Sequence, residues 1–463
     1  MKNIKVFFTL FLCLFFLQFE AQNINHCTEC NMVIRDNAHK ARAEKNGVIL
    51  NFDSAECLIN YLKSYNQNEF SSIEVSDYNT QSFIDAKTAF FLISKSIPSP
   101  MGADLTAFSN QEKIKSIINE KGGQLYSWKE IVAKFNNSQE GNAIKHDHYR
   151  PDAHAPIGVM GDHLHQKGEF MLSLRYMNMF MKGNISGSDN VSDETIYNNY
   201  MVAPQKMNMD MYMLGIMYSP SNKLTLVIMQ NFLRKNMDLT AKMTENNMPM
   251  LNDFSTESSG LGDLKFGVLY GIFNHHEKSL HFNTSFNIPI GSISKKDDTP
   301  MSTNTKLPYA MQLGSGTFDI TLGATYKEIY TNTSWGTQAL GTFRIGDNSE
   351  NYHLGNTYGL NFWGAYKLSQ NFSLSARALG ISEGKIKGAD TELNPMMVPT
   401  SNTNNYGSEK IRAFIGVNVS FPVTSSLNNF RFGAEVGTPI YEHYNGTQMN
   451  ENVTINFGVK YNL

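Results

Sequence analysis

The pattern that most constrains this chain lies at its end. Val453, Ile455, Phe457, Val459, Tyr461 and Leu463 are apolar, with Thr454, Asn456, Gly458, Lys460 and Asn462 between them. A period of two puts every apolar side chain on one face of a strand. The same alternation recurs through residues 168–463, with strands expected to begin near Gly168, Met209, Leu224, Gly262, Ser279, Ala310, Thr333, Leu354, Phe372, Lys410, Phe430 and Asn452. Several are long enough to cross a bilayer when tilted. Short links such as 219–223 and 369–371 alternate with long ones such as 183–206 and 388–409. Short turns on one rim and long loops on the other predict an antiparallel transmembrane barrel of about twelve strands. A β-sandwich or lipocalin-like fold would leave most of this length unused. An even strand count puts both barrel termini on the periplasmic side.

Composition agrees. Charged residues are 17% of the chain and aromatics 12%, while a mean hydropathy of −0.33 is too polar for a bundle of membrane helices. The net charge of −3 offers no field for nucleic acid. The first 21 residues read as a signal peptide: Lys2 and Lys5, an apolar run from Val6 to Phe19, and a cleavage point after Ala21. That run is shorter than the ~20 residues of a membrane helix. Removing it leaves Cys27, Cys30 and Cys57, an odd number that is no simple disulfide framework.

Residues 22–135 have a different rhythm and predict a small α+β domain. Val48–Phe52 and Ala89–Ile93 read as strands. Ser54–Tyr65 reads as a helix with Ser54 as its N-cap. Gln111–Glu120 reads as a helix stopped by Gly122-Gly123, and Trp128–Phe135 as a last short helix. Residues 136–167 read as a polar linker carrying five of the chain's twelve histidines.

Three groups of residues could carry chemistry. Cys27-Thr28-Glu29-Cys30-Asn31-Met32 can direct two thiolates and a thioether at one centre, with Cys57 a third sulfur and His26 a nitrogen. Soft sulfur favours Cu(I); a disulfide or redox exchange are the alternatives. In the linker, His146-x-His148 and His163-x-His165 can each present two imidazoles to one metal, with Met160 nearby; the alternative is a solvated linker that binds nothing. Third, sixteen of the 24 methionines lie between residues 160 and 250. Met171, Met177, Met179 and Met181 share a strand face with Arg175, and Met207, Met209, Met211, Met213 and Met217 share a face of the next strand. Aromatic and aliphatic residues occupy the opposite faces, which lipid should take. The methionines are then expected to face the lumen, either as a soft-metal track or as flexible apolar filler. No nucleophile–base arrangement, phosphate loop or spaced carboxylate pair points to an enzyme. His275-His276 and Asp297-Asp298 fall in expected turns or loops.

The Cys27-x-x-Cys30-x-Met32 run, Asn46-Gly-Val-Ile-Leu-Asn-Phe-Asp-Ser54 followed by Cys57, Ser99-Pro-Met101-Gly, Phe108 and Gly122-Gly123 together resemble the NosL family of nitrous-oxide-reductase accessory proteins. The resemblance spans roughly residues 24–133. It implies periplasmic Cu(I) binding and delivery to a copper enzyme, with Cys27, Cys30, Met32 and, less directly, Met101 in the metal region. Asn31 stands where that family usually has Gly; Asn best tolerates the same positive φ. Family members are often lipid-anchored, and this chain has no convincing lipid-attachment cysteine. Ala155–His163, Gly168–Ser173, Ser259–Leu264 and Leu307–Thr317 resemble bacterial outer-membrane barrels labelled as transporters and related to the phenol-degradation transporter group. The combined expectation is a periplasmic copper-binding domain joined to a Met-lined barrel in the outer-membrane bilayer, with a periplasmic copper protein as a partner. A passive pore for small organic solutes and a membrane-anchored copper chaperone are the rival readings.

Overall fold

The computed structural model describes residues 27–29, 34, 36–63, 65–137, 150–245, 248–275, 278–421, 425 and 427–463. The expected signal peptide, Cys30, Met32, His146 and His148 lie outside these residues. The chain divides into two compact units, residues 1–145 and 146–463.

The first unit holds two small antiparallel sheets. β1 (Ala41–Lys45) and β2 (Val48–Phe52) form a hairpin over Asn46-Gly47, whose φ angles of 53° and 78° are those of a tight primed turn. β3 (Ser72–Ser76) and β4 (Phe83–Asp85) extend this sheet in the order β2-β1-β3-β4. β5 (Phe90–Ile93) is central in the second sheet, between β6 (Leu105–Phe108) and β7 (Gln124–Ser127). Helix α1 (Ala55–Leu62) starts where expected, with the Ser54 hydroxyl accepting from the Cys57 amide at 3.3 Å. Helix α2 (Gln111–Lys121) ends at Gly122, whose φ of 71° only glycine adopts freely, and α3 spans Trp128–Asn137. Phe52, Leu58, Ile59, Phe91 and Ile131 are fully buried in one core, each such side chain contributing roughly 1.5–3 kcal/mol.

The second unit is a barrel. Its elements are β8 (Phe170–Gly187), β9 (Asp189–Val191), α4 (Asp193–Ile196), β10 (Val202–Ser221), β11 (Leu224–Glu245), β12 (Met248–His275) and β13 (Lys278–Ile288). A loop hairpin, β14 (Lys296–Thr299) and β15 (Ser302–Lys306), precedes β16 (Phe318–Ile329) and β17 (Thr333–Ile345). Then come β18 (Tyr352–His353), β19 (Thr357–Lys367), β20 (Phe372–Glu383), β21 (Lys387–Gly388), β22 (Ser408–Ser420) and β23 (Phe430–Asn462). Eleven of these elements close into a ring through antiparallel pairing of β8 with both β10 and β23, while β9 hangs outside on β8.

A ring in which every neighbour is antiparallel needs an even number of passes. It closes because β23 turns back on itself: residues 431–444 pair with β22 and 444–462 with β8. The return half is the strand whose alternation is clearest in the sequence. Two expected starts are corrected. The strand expected near Gly262 begins at Met248, because its N-terminal part pairs with β11 in polar, weakly alternating sequence. The strand expected at Ala310 begins at Phe318, because residues 307–317 turn inward: Lys235 donates to the carbonyls of Ala310 and Gln312, and Ser258 to that of Met311.

Burial is inverted relative to a water-soluble protein. Leu360 and Phe362 are 57% and 53% exposed, while Asn361 between them is 8% exposed. Arg377, Glu435 and Lys460 are buried inside, and Phe282, Phe286, Leu322 and Tyr358 point outward. An apolar exterior around a polar interior needs lipid as its outer solvent. No helix among the described residues is long and apolar enough to cross a membrane; crossing is by strands.

The polar-linker reading of 136–167 is corrected for its later part. Residues 136–137 end α3, and residues 150–165 are almost all buried within the barrel. This segment has no strand or helix of its own, so wall side chains satisfy its carbonyls. Lys327 donates to Ala153 at 2.8 Å, Arg175 to Val159 at 3.0 Å, Gln338 to Met160 at 2.9 Å and Asn283 to Gly161 at 3.1 Å. Irregular backbone at membrane depth persists only when protein groups meet it in this way. A periodicity search cannot find such a segment, because its partners come from strands far along the chain.

Candidate metal centres

In the first unit, the turn from β2 into α1 places Asp53 and Cys57 beside Cys27. The sulfurs of Cys27 and Cys57 and a carboxylate oxygen of Asp53 all lie within 4.8 Å of one another, and all three residues are buried. The Thr28 amide donates to the Asn51 carbonyl at 2.6 Å, tying the Cys27 segment to the end of β2. Cys57 sits in the first turn of α1, where a helix N-terminus favours negative charge. Burial, and next the charge of Cys27, push the Asp53 carboxyl up to about 7, and its Oδ1 meets no hydrogen-bond donor. Burial also raises Glu56, whose carboxylate accepts from Ser99 Oγ and, at 3.3 Å, from the Leu105 amide. Met101 is half-buried against the same core.

Two thiols and a carboxylate with an unsatisfied oxygen form a dry donor set that fits a soft metal ion such as copper. Cys27 and Cys57 would hold it through sulfur, and Asp53 would supply compensating charge. Cys30 and Met32, expected beside Cys27, fall outside the described residues. Asp53 escaped the sequence reading because an acid just before a helix N-cap looks like ordinary turn chemistry.

In the barrel, the methionines of β8 and β10 sit opposite one another in register: Met171 and Met217, Met177 and Met211, Met179 and Met209, Met181 and Met207. Directly opposed residues share a face, and here it is the face of Arg175, which donates to carbonyls inside the barrel. Met211 and Met213, with Met160 and Met229, line a lumenal cavity of about 530 Å³. Its other walls include Lys235, Lys265, Arg344, Tyr309 and Tyr406. Met181 packs near one end with Met207, Met237, Met311 and Met449, and Met171, Met217 and Met229 form a second cluster.

The third centre is inside the barrel, on the buried segment. His163 Nδ1 lies 3.0 Å and His154 Nδ1 3.6 Å from the Asp162 carboxylate. The rings of His154 and His163 are 4.3 Å apart between centroids, and those of His163 and His165 4.7 Å. His165 turns its Nδ1 to Glu169 at 3.3 Å. The expected His163–His165 pair is therefore adjacent, but the groups that converge are His154, Asp162 and His163. Spacing alone could not bring His154 into this set.

The fold and these centres define a class: an outer-membrane β-barrel joined to a small periplasmic-type domain with a buried sulfur centre. Both parts have counterparts among known proteins to which they are similar. Residues 18–135 match the NosL family model, and residues 198–397 match the family described as "Putative MetA-pathway of phenol degradation". The copper-binding lipoprotein NosL of Stutzerimonas stutzeri is 28% identical over 149 residues, 30% of this chain and 76% of that protein. Among solved structures, an outer membrane channel from Pseudomonas putida F1 is 16% identical, covers 66% of this chain and 99% of its own, and has a TM-score of 0.46. The copper chaperone NosL from Shewanella denitrificans is 24% identical, covers 24% of this chain and 94% of its own, and has a TM-score of 0.22.

Proposed function

We infer that this protein handles copper at the outer membrane: its front domain binds Cu(I), and its Met-lined barrel moves or stores the ion. The observation that carries this reading is the buried convergence of Cys27, Cys57 and Asp53 in a NosL-type domain. Thiolates are soft donors that hold Cu(I) tightly. The methionine pairs across β8 and β10 extend soft sulfur along the lumen. Thioethers bind weakly and need no deprotonation, which suits hand-on transfer. A periplasmic copper protein is the partner this reading supplies or relieves, and no catalytic step is part of it.

The test replaces Met177, Met179, Met181, Met209, Met211 and Met213 by Leu. Such swaps usually cost under ~1.5 kcal/mol each, so the barrel should still fold. Copper accumulation or tolerance of the cells should change while uptake of small organic solutes does not.

A second reading has its own observation. The cavity of about 530 Å³ combines methionine and leucine side chains with charged groups of both signs, Lys235, Lys265 and Arg344 beside Asp263 and Glu383, which suits a small organic solute with both apolar and polar parts. If only organic uptake depends on the barrel, this pore reading replaces copper movement. If copper stays on the front domain and passes only to a soluble copper protein, the barrel is an anchor for a chaperone.

A further inference from the structure

We propose that His154, Asp162 and His163 form a binding site for one divalent transition-metal ion of the Cu(II) or Zn(II) kind inside the barrel, separate from the sulfur centres. A tetrahedral ion with bonds of ~2.0–2.1 Å holds its donor atoms about 3.3 Å apart. Each carboxylate oxygen of Asp162 faces one imidazole, Oδ1 at 3.0 Å from His163 Nδ1 and Oδ2 at 3.6 Å from His154 Nδ1, spacings near that value. All three residues are buried, His154 and His163 at 9% exposure and Asp162 at 2%. His154 Nε2 has no hydrogen-bond partner, and its Nδ1 faces only the Asp162 carboxylate, beyond hydrogen-bond distance at 3.6 Å. Burying an unsatisfied polar group is costly, and a metal bonded to one nitrogen offsets that cost. Imidazole and carboxylate are borderline and hard donors, so they select Cu(II) or Zn(II) over Cu(I).

The surroundings hold the ligands in place. The Ala155 amide donates to Asp162 Oδ2 at 3.0 Å. Such outer contacts orient metal ligands. Of the nearby cations, Arg175 is engaged with the Ile157 and Val159 carbonyls and Lys327 with the Ala153 carbonyl, while Arg431 lines the same small cavity as His154. Lys460 is different. Its Nζ lies 3.5 Å from Asp162 Oδ1, a long contact that competes with a metal for the same carboxylate. The site therefore carries a built-in competitor, and removing it should strengthen metal binding.

The experiment uses the full chain in detergent micelles, with Cu(II) as the probe and electron paramagnetic resonance as the readout. Cu(I) has a filled d shell and gives no signal, and Cu(II) on the front-domain cysteines would show sulfur ligation and not two imidazole nitrogens, so this measurement stands apart from the proposed copper handling. One equivalent of Cu(II) coupled to two imidazole nitrogens is expected. His154→Gln and His163→Gln should each remove one coupling and weaken binding by tenfold or more, on the order of ligand-shell losses. Lys460→Met should tighten binding, an effect that a purely structural histidine network would not produce. Absence of a nitrogen-coupled signal in the parent protein overturns the site, whether or not the variants fold. A signal identical in both histidine variants overturns it as well.

Discussion

Cys27 and Cys57 bring their sulfurs within 4.8 Å of each other, with Asp53 alongside. Two cysteine sulfurs this close and this well buried are held away from solvent and placed to share one ion. Cys57→Ser should therefore weaken Cu(I) binding as severely as Cys27→Ser, since a neutral hydroxyl cannot replace a thiolate. Competition with a chromophoric Cu(I) chelator measures this. Unchanged affinity in Cys57→Ser would return the site to Cys27, Cys30 and Met32 alone.

Asp53 gives a pH signature to the metal-free front domain. Its carboxyl is raised from 3.8 to about 7 by burial, so the folded state binds this proton more tightly than the unfolded state does. The proton is retained on folding between about pH 4 and 7, and stability should fall as pH rises through that window. The size is at most a few kcal/mol. Asp53→Asn should flatten the slope. The urea midpoint of residues 22–137 measured from pH 4 to 8 tests it; a midpoint that rises with pH in the parent domain would contradict the assignment.

Gly158 is seated against the buried Arg377–Glu435 ion pair, and a Cβ there would run into both side chains. Gly158→Val should unseat the buried segment while leaving the strand ladder intact. Liposome-swelling rates for small solutes should rise above the parent's, with resistance to SDS retained until boiling. Equal swelling rates would mean that the segment tolerates the bulk without moving.

The outer face should be sensitive to charge and the inner face far less so. Phe362→Arg places a cation in lipid, costing about 2–4 kcal/mol near the bilayer midplane. Ser375→Ala, on the lumenal side of the neighbouring strand β20, should cost little, because its buried Oγ has no hydrogen-bond partner. Refolding from urea into detergent or lipid separates the two, and equal losses would remove the basis for reading the outer surface as lipid-facing.

The sequence determined the architecture because the relevant signals are local. Alternation such as Val453 to Leu463 marks a half-lipid-facing strand whatever its neighbours are. Ser54 before an apolar helical run and Gly122 after one are equally local, and α1 and α2 begin and end there. The shared phase of Met177, Met179 and Met181, and of Met209, Met211 and Met213, follows from the same alternation. What the tertiary structure decided depends on partners distant in sequence. Asp53 joined Cys27 and Cys57 only once β2 and α1 packed against the Cys27 turn. His154 met Asp162 and His163 only because Lys327, Gln338, Asn283 and Arg175, from four different strands, hold an irregular segment inside the barrel. Strand phase is written residue by residue, whereas the convergence of donor atoms depends on how the whole ring closes.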